Sequence, residues 1–377
     1  RGRGGLGAMA ANRFRRAKGR RFAGLELDSH GGPGRPFRFV QMADTQLGME
    51  AMFQPGEAPA RASFGWDHEL ALMRRAAEEV NRLRPAFAIV CGDLVNEYPP
   101  EEQGQKLADE ELRVRQERDF KEAPTRMTSP SLASSLEAIS LIDPAIPLLC
   151  VCGNHDIGNR PNSRTIRRYT DSFGDDYFAF WCHGVKCLVV NSQLWKDDSE
   201  CQDLRRAMDE WLDRELEAQE GPKPQRLLVF SHIPPFINDP EEKDEYFNLD
   251  KGLRHRLLEK LAAKGAVAWF CGHYHRNAGG RYRTADGRDL EVVVTGAVGT
   301  QIVDKPGGDP LALSGIGGHL IGEEESGFRV VHVLEDRVEH EWRTLSQLRS
   351  SQADGRQPEA AAEASACLLP QDINHKL

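Results

Sequence analysis

The residues able to do chemistry stand at the ends of short apolar runs. Phe37 to Met42 leads to Asp44 and Gln46, and Ala86 to Cys91 leads to Gly92, Asp93 and Asn96. Pro147 to Cys152 leads to Gly153, Asn154, His155 and Asp156, Leu227 to Phe230 leads to Ser231 and His232, and Val267 to Cys271 leads to Gly272, His273, Tyr274 and His275. Taken singly, each has an ordinary reading: Asp and Asn after a strand usually cap a helix or close a turn, and glycine supplies the tight bend. Five such coincidences in one chain point to a common site at the carboxyl ends of strands, where open α/β sheets place their ligands.

Mixed oxygen and imidazole donors suit Mn, Fe or Zn rather than a thiolate structural zinc site. Three imidazoles, two carboxylates and one or two amides suffice for two divalent cations that share a bridging ligand. Two ions about 4 Å apart hold a water as hydroxide near neutral pH and neutralise a phosphoryl group during in-line displacement. That chemistry is phosphate-ester hydrolysis, and the cations' charge lets an acidic protein accept an anionic substrate.

The elements that must position these residues follow from periodicity. Trp66, Leu70, Met73, Ala77, Val80 and Leu83 recur at helical spacing, as do Leu204, Met208, Trp211, Leu212 and Leu216, and Leu253, Leu257, Leu258 and Leu261. Alternation of such helices with short apolar runs predicts a layered α/β fold. The charge-dense stretch Glu101 to Glu122 reads as an exposed helix, and Asp304 to Ser326 as a glycine-rich loop.

The chain has 377 residues, 49 Lys plus Arg against 58 Asp plus Glu, and a net charge of −9. The acidic balance argues against a nucleic-acid binder. No apolar run reaches the roughly 18 residues of a membrane-spanning helix. Eight cysteines, several inside apolar runs, read as small buried hydrophobes in a reducing compartment. Residues 1–34 are rich in arginine and read as a disordered basic segment, residues 346–377 as a disordered tail, and 35–345 as one domain.

The order Asp44-x-Gln46, Gly92-Asp93-x-x-Asn96, Gly153-Asn154-His155-Asp156, His232, Gly272-His273-x-His275 resembles the calcineurin-like metallophosphoesterase family over nearly the whole core. The resemblance implies an αββα double sandwich: two mixed sheets face to face with helices outside. By likeness, Asp44 and His275, with Gln46, hold one cation; Asp93 bridges; Asn154, His232 and His273 hold the other. His155 is then the acid that protonates the leaving alkoxide as hydroxide attacks, with Asn96 and Asp156 as further catalytic residues and the Asn96 side-chain carbonyl orienting His155. Many family members carry His at the Gln46 position, so a more labile first ion is expected. The resemblance further implies a cytoplasmic phosphomonoesterase acting on serine/threonine phosphoproteins. A phosphodiesterase acting on nucleotides or lipid head groups, and a non-catalytic scaffold, are the alternatives.

Overall fold

The computed structural model describes residues 15–27, 34–53, 65–101, 109–121, 141–217, 226–304, 319–321 and 325–346. The first sheet contains β1 (Phe37–Met42), β2 (Ala88–Cys91) and β3 (Leu148–Val151), and the second contains β4 (Phe178–Cys182), β5 (Val185–Val189), β6 (Arg226–Phe230), β7 (Ala266–Cys271), β8 (Ala278–Arg283) and β9 (Asp289–Val294). A short ribbon of β10 (Ile302–Asp304) and β11 (His319–Ile321) follows, and then β12 (Gly327–Val333) and β13 (Val338–Thr344) complete the first sheet. The strand orders are β13-β12-β1-β2-β3 and β4-β5-β6-β7-β9-β8.

Both sheets are mixed. In the first, β1, β2 and β3 are parallel, β12 pairs antiparallel with β1 and β13 antiparallel with β12; in the second, β5, β6, β7 and β9 are parallel while β4 and β8 run antiparallel at the edges. Parallel neighbours need a crossover connection. The helices Asp67–Leu83, Gln202–Glu217 and Lys251–Ala263 serve β1 to β2, β5 to β6 and β6 to β7, and each carries one of the three apolar stripes of the sequence. This arrangement brings the carboxyl ends of each sheet's parallel strands to one rim.

Strand alternation separates two cores. Phe39, Phe87, Ile89, Phe180, Phe230 and Phe270 point into the space between the sheets, whereas Val40, Val90, Val229 and Trp269 face the outer helices. Phe39 stacks on Phe87 at 4.7 Å and meets Phe270 edge-on at 5.4 Å. Burial on both faces is why β2, β3 and β7 read as unbroken apolar runs.

Two expectations change. Residues 15–27, placed by composition in a disordered tail, lie along β4: Ala179 N–H donates to the Arg20 carbonyl and Trp181 N–H to that of Leu25. Arg20 pairs with Asp176 at 2.8 Å and Arg21 with Glu215 at 2.7 Å, while Phe22 and Leu25 enter the inter-sheet core. The charge-dense helix is also not simply exposed. Over Glu110–Lys121 it buries Arg113, Gln116, Glu117, Asp119 and Phe120. The tail from residue 347 and residues 305–318 of the glycine-rich loop lie outside the described residues. Among the described residues no helix is long and apolar enough to cross a membrane.

Candidate metal centre

Asp44, Asp93, His232 and His273 each stand two residues beyond the end of a strand, with Asn154 three beyond β3 and His275 four beyond β7. Asp44, Gln46, Asp93, His273 and His275 all have positive φ, between 37° and 72°. This left-handed backbone costs about 1–3 kcal/mol per non-glycine residue and is retained where the surroundings enforce it. Here cross-loop bonds do so: Asp44 N–H donates to the Gly92 carbonyl, Gln46 N–H to that of Asp93, and Gly272 N–H to that of His232. The preceding glycines do more than turn the chain. A Cβ on Gly153 would collide with the Asp93 carboxylate, and one on Gly92 with the His232 ring.

Two clusters of ligand atoms result, each within 4.8 Å: Asp93, His232 and His273 in one, Asp44, Asp93 and His275 in the other. Asp93 belongs to both. His232 Nε2 lies 3.2 Å from Asp93 Oδ2, 3.0 Å from Asn154 Oδ1 and 3.1 Å from His273 Nδ1. His275 Nε2 is 3.4 Å from Asp44 Oδ1.

The donor set fits a pair of cations. His232 Nδ1 faces the Cys91 carbonyl at 2.7 Å and His275 Nδ1 that of Thr300 at 2.7 Å. Main-chain acceptors thereby hold the N–H and turn each Nε2 lone pair inward, the usual support for a ligating imidazole. Those lone pairs meet only other acceptors, an arrangement that calls for positive charge between them. Gln46 supplies a further sign, since its buried Oε1 has no hydrogen-bond partner.

The protein's own charges show the same demand. Burial lifts Asp44 well above the usual carboxylate range. Burial also opposes ionisation of Asp93, but His232 and His155 outweigh it and hold that carboxyl low. Burial would depress His232, yet Asp93 and Asp44 carry it up to about 9. Burial lowers His273 and takes His275 down to about 4.

His155 sits beside this cluster. Its N–H donates to Asp93 Oδ1 at 2.9 Å, its Nδ1 faces a carbonyl of Asn96 at 2.5 Å, and its Nε2 is 3.0 Å from Gln46 Nε2 and 3.1 Å from the Tyr98 hydroxyl. The Asn96 acceptor is the main-chain oxygen, not the side-chain amide expected from sequence. Asn96 Oδ1 instead accepts from Gln46 Nε2 at 3.2 Å. Asp156 differs too: its two oxygens accept from the main-chain N–H of Leu94 at 3.1 Å and Gly153 at 2.8 Å, tying the loop after β3 to the loop after β2. Burial raises its pKa to about 7.

Sequence reasoning missed Arg113 and Tyr98. Fully buried, Arg113 donates to the main-chain carbonyls of His155 at 2.8 Å, Asp156 at 3.0 Å and Glu97, and pairs with Glu117 at 2.9 Å. Three other arginines that follow the site motifs in sequence lie elsewhere. Arg160 lies near Asp197 and Glu200, Arg276 covers the Tyr274 ring at 4.0 Å, and Arg281 is exposed on β8. Tyr246 contacts Asn154, Asn248 secures its own loop through Glu242 and Lys243, and Asn277 is bound by Arg329. Cys91, Cys152 and Cys271 are buried free thiols whose pKa burial raises, as expected of small core residues.

A two-sheet sandwich with shared carboxylate and imidazole donors gathered at one rim defines a metallophosphoesterase, and the chain belongs to the calcineurin-like phosphoesterase family, whose sequence pattern matches residues 37–277. More particularly, it is 37% identical over 344 residues to serine/threonine-protein phosphatase CPPED1 of Danio rerio, covering 90% of this chain and 96% of that one. It is 33% identical to the Homo sapiens protein of the same name, over 90% of this chain and 94% of that one. Among solved structures it is similar in fold to purple acid phosphatase PPD1 from yellow lupin, with a TM-score of 0.51 and 12% identity over 84% of this chain and 53% of that one.

Proposed function

We propose that this chain hydrolyses phosphomonoesters of serine and threonine in phosphoproteins, using two divalent cations of the Mn, Fe or Zn kind. The observation that carries the reading is the sharing of Asp93 between two ligand clusters directly beside His155. Similarity over 90% of the chain to proteins named as serine/threonine phosphatases supports the substrate class. Asp44, Gln46, Asp93 and His275 would hold one cation, and Asp93, Asn154, His232 and His273 the other. When bound, the cations supply positive charge to the phosphoryl oxygens and acidify the attacking water.

The chain's own part is orientation and proton delivery. The Asn96 carbonyl holds His155 by Nδ1, so Nε2 faces the cleft and is the atom that gives a proton to the departing alkoxide. Serine and threonine alkoxides are strongly basic leaving groups, which makes that proton necessary. Asp156 acts as a positioning residue through the loops it ties together. Residues 35–345, together with the segment 15–27 packed along β4, are taken as the catalytic domain, and its free buried cysteines accord with a cytoplasmic location.

The test is side-by-side turnover of a phosphoserine peptide, cyclic nucleotides and an aryl phosphodiester by protein loaded with Mn. Preference for the peptide is expected. Faster cleavage of the diesters would make this a phosphodiesterase, and no turnover of any ester would leave a scaffold.

A further inference from the structure

Beside the candidate metal centre two tyrosines and two asparagines form a closed ring of hydrogen bonds. Asn154 Nδ2 donates to the Tyr98 hydroxyl at 3.1 Å and to the Tyr246 hydroxyl at 3.0 Å. Tyr246 in turn donates to Asn159 Oδ1 at 3.3 Å, and Asn159 Nδ2 donates to Tyr98 at 3.2 Å. The Tyr98 hydroxyl also lies within hydrogen-bond distance of His155 Nε2, 3.1 Å away. Nothing in the sequence marks this ring.

The directions of these bonds matter more than their number. A carboxamide has one oxygen and one NH2 of nearly equal size, and only the oxygen can ligate a cation. Both N–H groups of Asn154 are committed to phenol oxygens, and Tyr246 has spent its own proton on Asn159. Reversing the amide would forfeit both N–H bonds to the phenols, set its oxygen against that of Tyr246 and turn two N–H groups toward the cluster. As the ring stands, Asn154 Oδ1 faces His232 Nε2 at 3.0 Å, inside that cluster. The loop bearing Tyr246 is itself anchored, because Lys196 Nζ donates to the carbonyls of Glu245 and Asn248 at 2.6 Å each.

We infer that Tyr98 and Tyr246 are positioning residues that fix the amide orientation of Asn154 and thereby set the affinity of the cation held with His232 and His273. This inference rests on the two-cation reading above. It adds a residue-level reason why an uncharged, reversible ligand can serve there.

The test is Mn(II) titration by calorimetry of full-length protein stripped with chelator, with thermal melting as a check of folding. Tyr98→Phe combined with Tyr246→Phe removes only two hydroxyls. The expected result is that one of the two Mn ions binds about 10- to 100-fold more weakly, the usual effect of losing such outer partners, while the other is unchanged. Each single variant leaves the amide one phenol acceptor and should shift the same ion less. Adding Asn154→Asp to the double variant should restore binding, since a carboxylate presents an oxygen either way round. Unchanged affinity in the double variant would overturn the inference, as would equal weakening of both ions or failure of Asn154→Asp to rescue. Wild-type protein that takes up fewer than two Mn ions would overturn the two-cation reading and this inference together. Selective loss of one ion from an enzyme inactive on phosphomonoesters would uphold the inference and refute the substrate assignment alone.

Discussion

The carboxylate of Asp93 and the main chain of His155 form one unit: Asp93 Oδ1 accepts the His155 N–H at 2.9 Å while Oδ2 faces His232. The residue shared by both ligand clusters is therefore held in place by the loop that carries the candidate acid. In the proposed mechanism this ties ion binding to proton delivery, and variants on either side separate them.

Replacing Asp93 by Asn removes a charge that both clusters use. Both ions should dissociate together on dialysis, as read by metal analysis. Loss of a single ion would strip Asp93 of its shared role.

His155→Asn should leave metal content intact and lower turnover about 10²- to 10⁴-fold, the typical share of acid catalysis. An unchanged rate on a phosphoserine peptide would remove His155 from the mechanism.

Gln46→His replaces an amide by the stronger imidazole donor at the Asp44–His275 side. Several-fold tighter binding of one ion is expected in Mn or Zn titrations, with the other unaltered. No change would show that the unpartnered Gln46 oxygen does not face a cation.

Arg113→Met leaves three main-chain carbonyls without their donor and isolates the buried Glu117. Removing one partner of such a pair costs about 3–5 kcal/mol, measurable by denaturant unfolding. Turnover should fall in the same variant, since the carbonyls of both His155 and Asp156 lose their anchor. Arg113→Lys should recover only part of the loss, because an ammonium lacks the planar fork.

Glu69 gives a pH signature. Its Oε1 accepts from the N–H of Gly48 and Glu50, and burial raises its pKa to about 7. A buried acid raised this way binds its proton more tightly when folded, so its favourable contribution is complete below its unfolded value and fades as pH rises through 7. Glu69→Gln removes that dependence. The difference in melting temperature should move in favour of the Gln variant between pH 5 and pH 8, and a constant difference would refute the buried-proton account.

Much of the site was legible because its residues follow strands that are buried on both faces. Ala86–Cys91, Pro147–Cys152, Leu227–Phe230 and Val267–Cys271 are unbroken apolar runs that give way to polar residues, and Phe37–Met42 is mostly apolar with Arg38 and Gln41 within it. What escaped reading depends on distant partners. Arg113 lies in a charge-dense helix, and nothing local tells that its guanidinium meets carbonyls some forty residues on. Arg20 and Arg21 find Asp176 and Glu215 far along the chain. The Asn96 side chain was expected to serve His155, but a main-chain oxygen does so, and main-chain roles leave no mark on residue type. Tyr98 and Asn159 are likewise ordinary residues until the fold sets them around Asn154.

The basic stretch along β4 bears on how the protein is handled. A recombinant fragment begun at Phe37, where the family pattern starts, would strip the cover from that strand and leave the Ala179 and Trp181 amides bare beside an opened phenylalanine core. Unpaired margins of this kind recruit a second chain. Such a truncate would be apt to clump on expression even though every residue of its catalytic cleft had been retained.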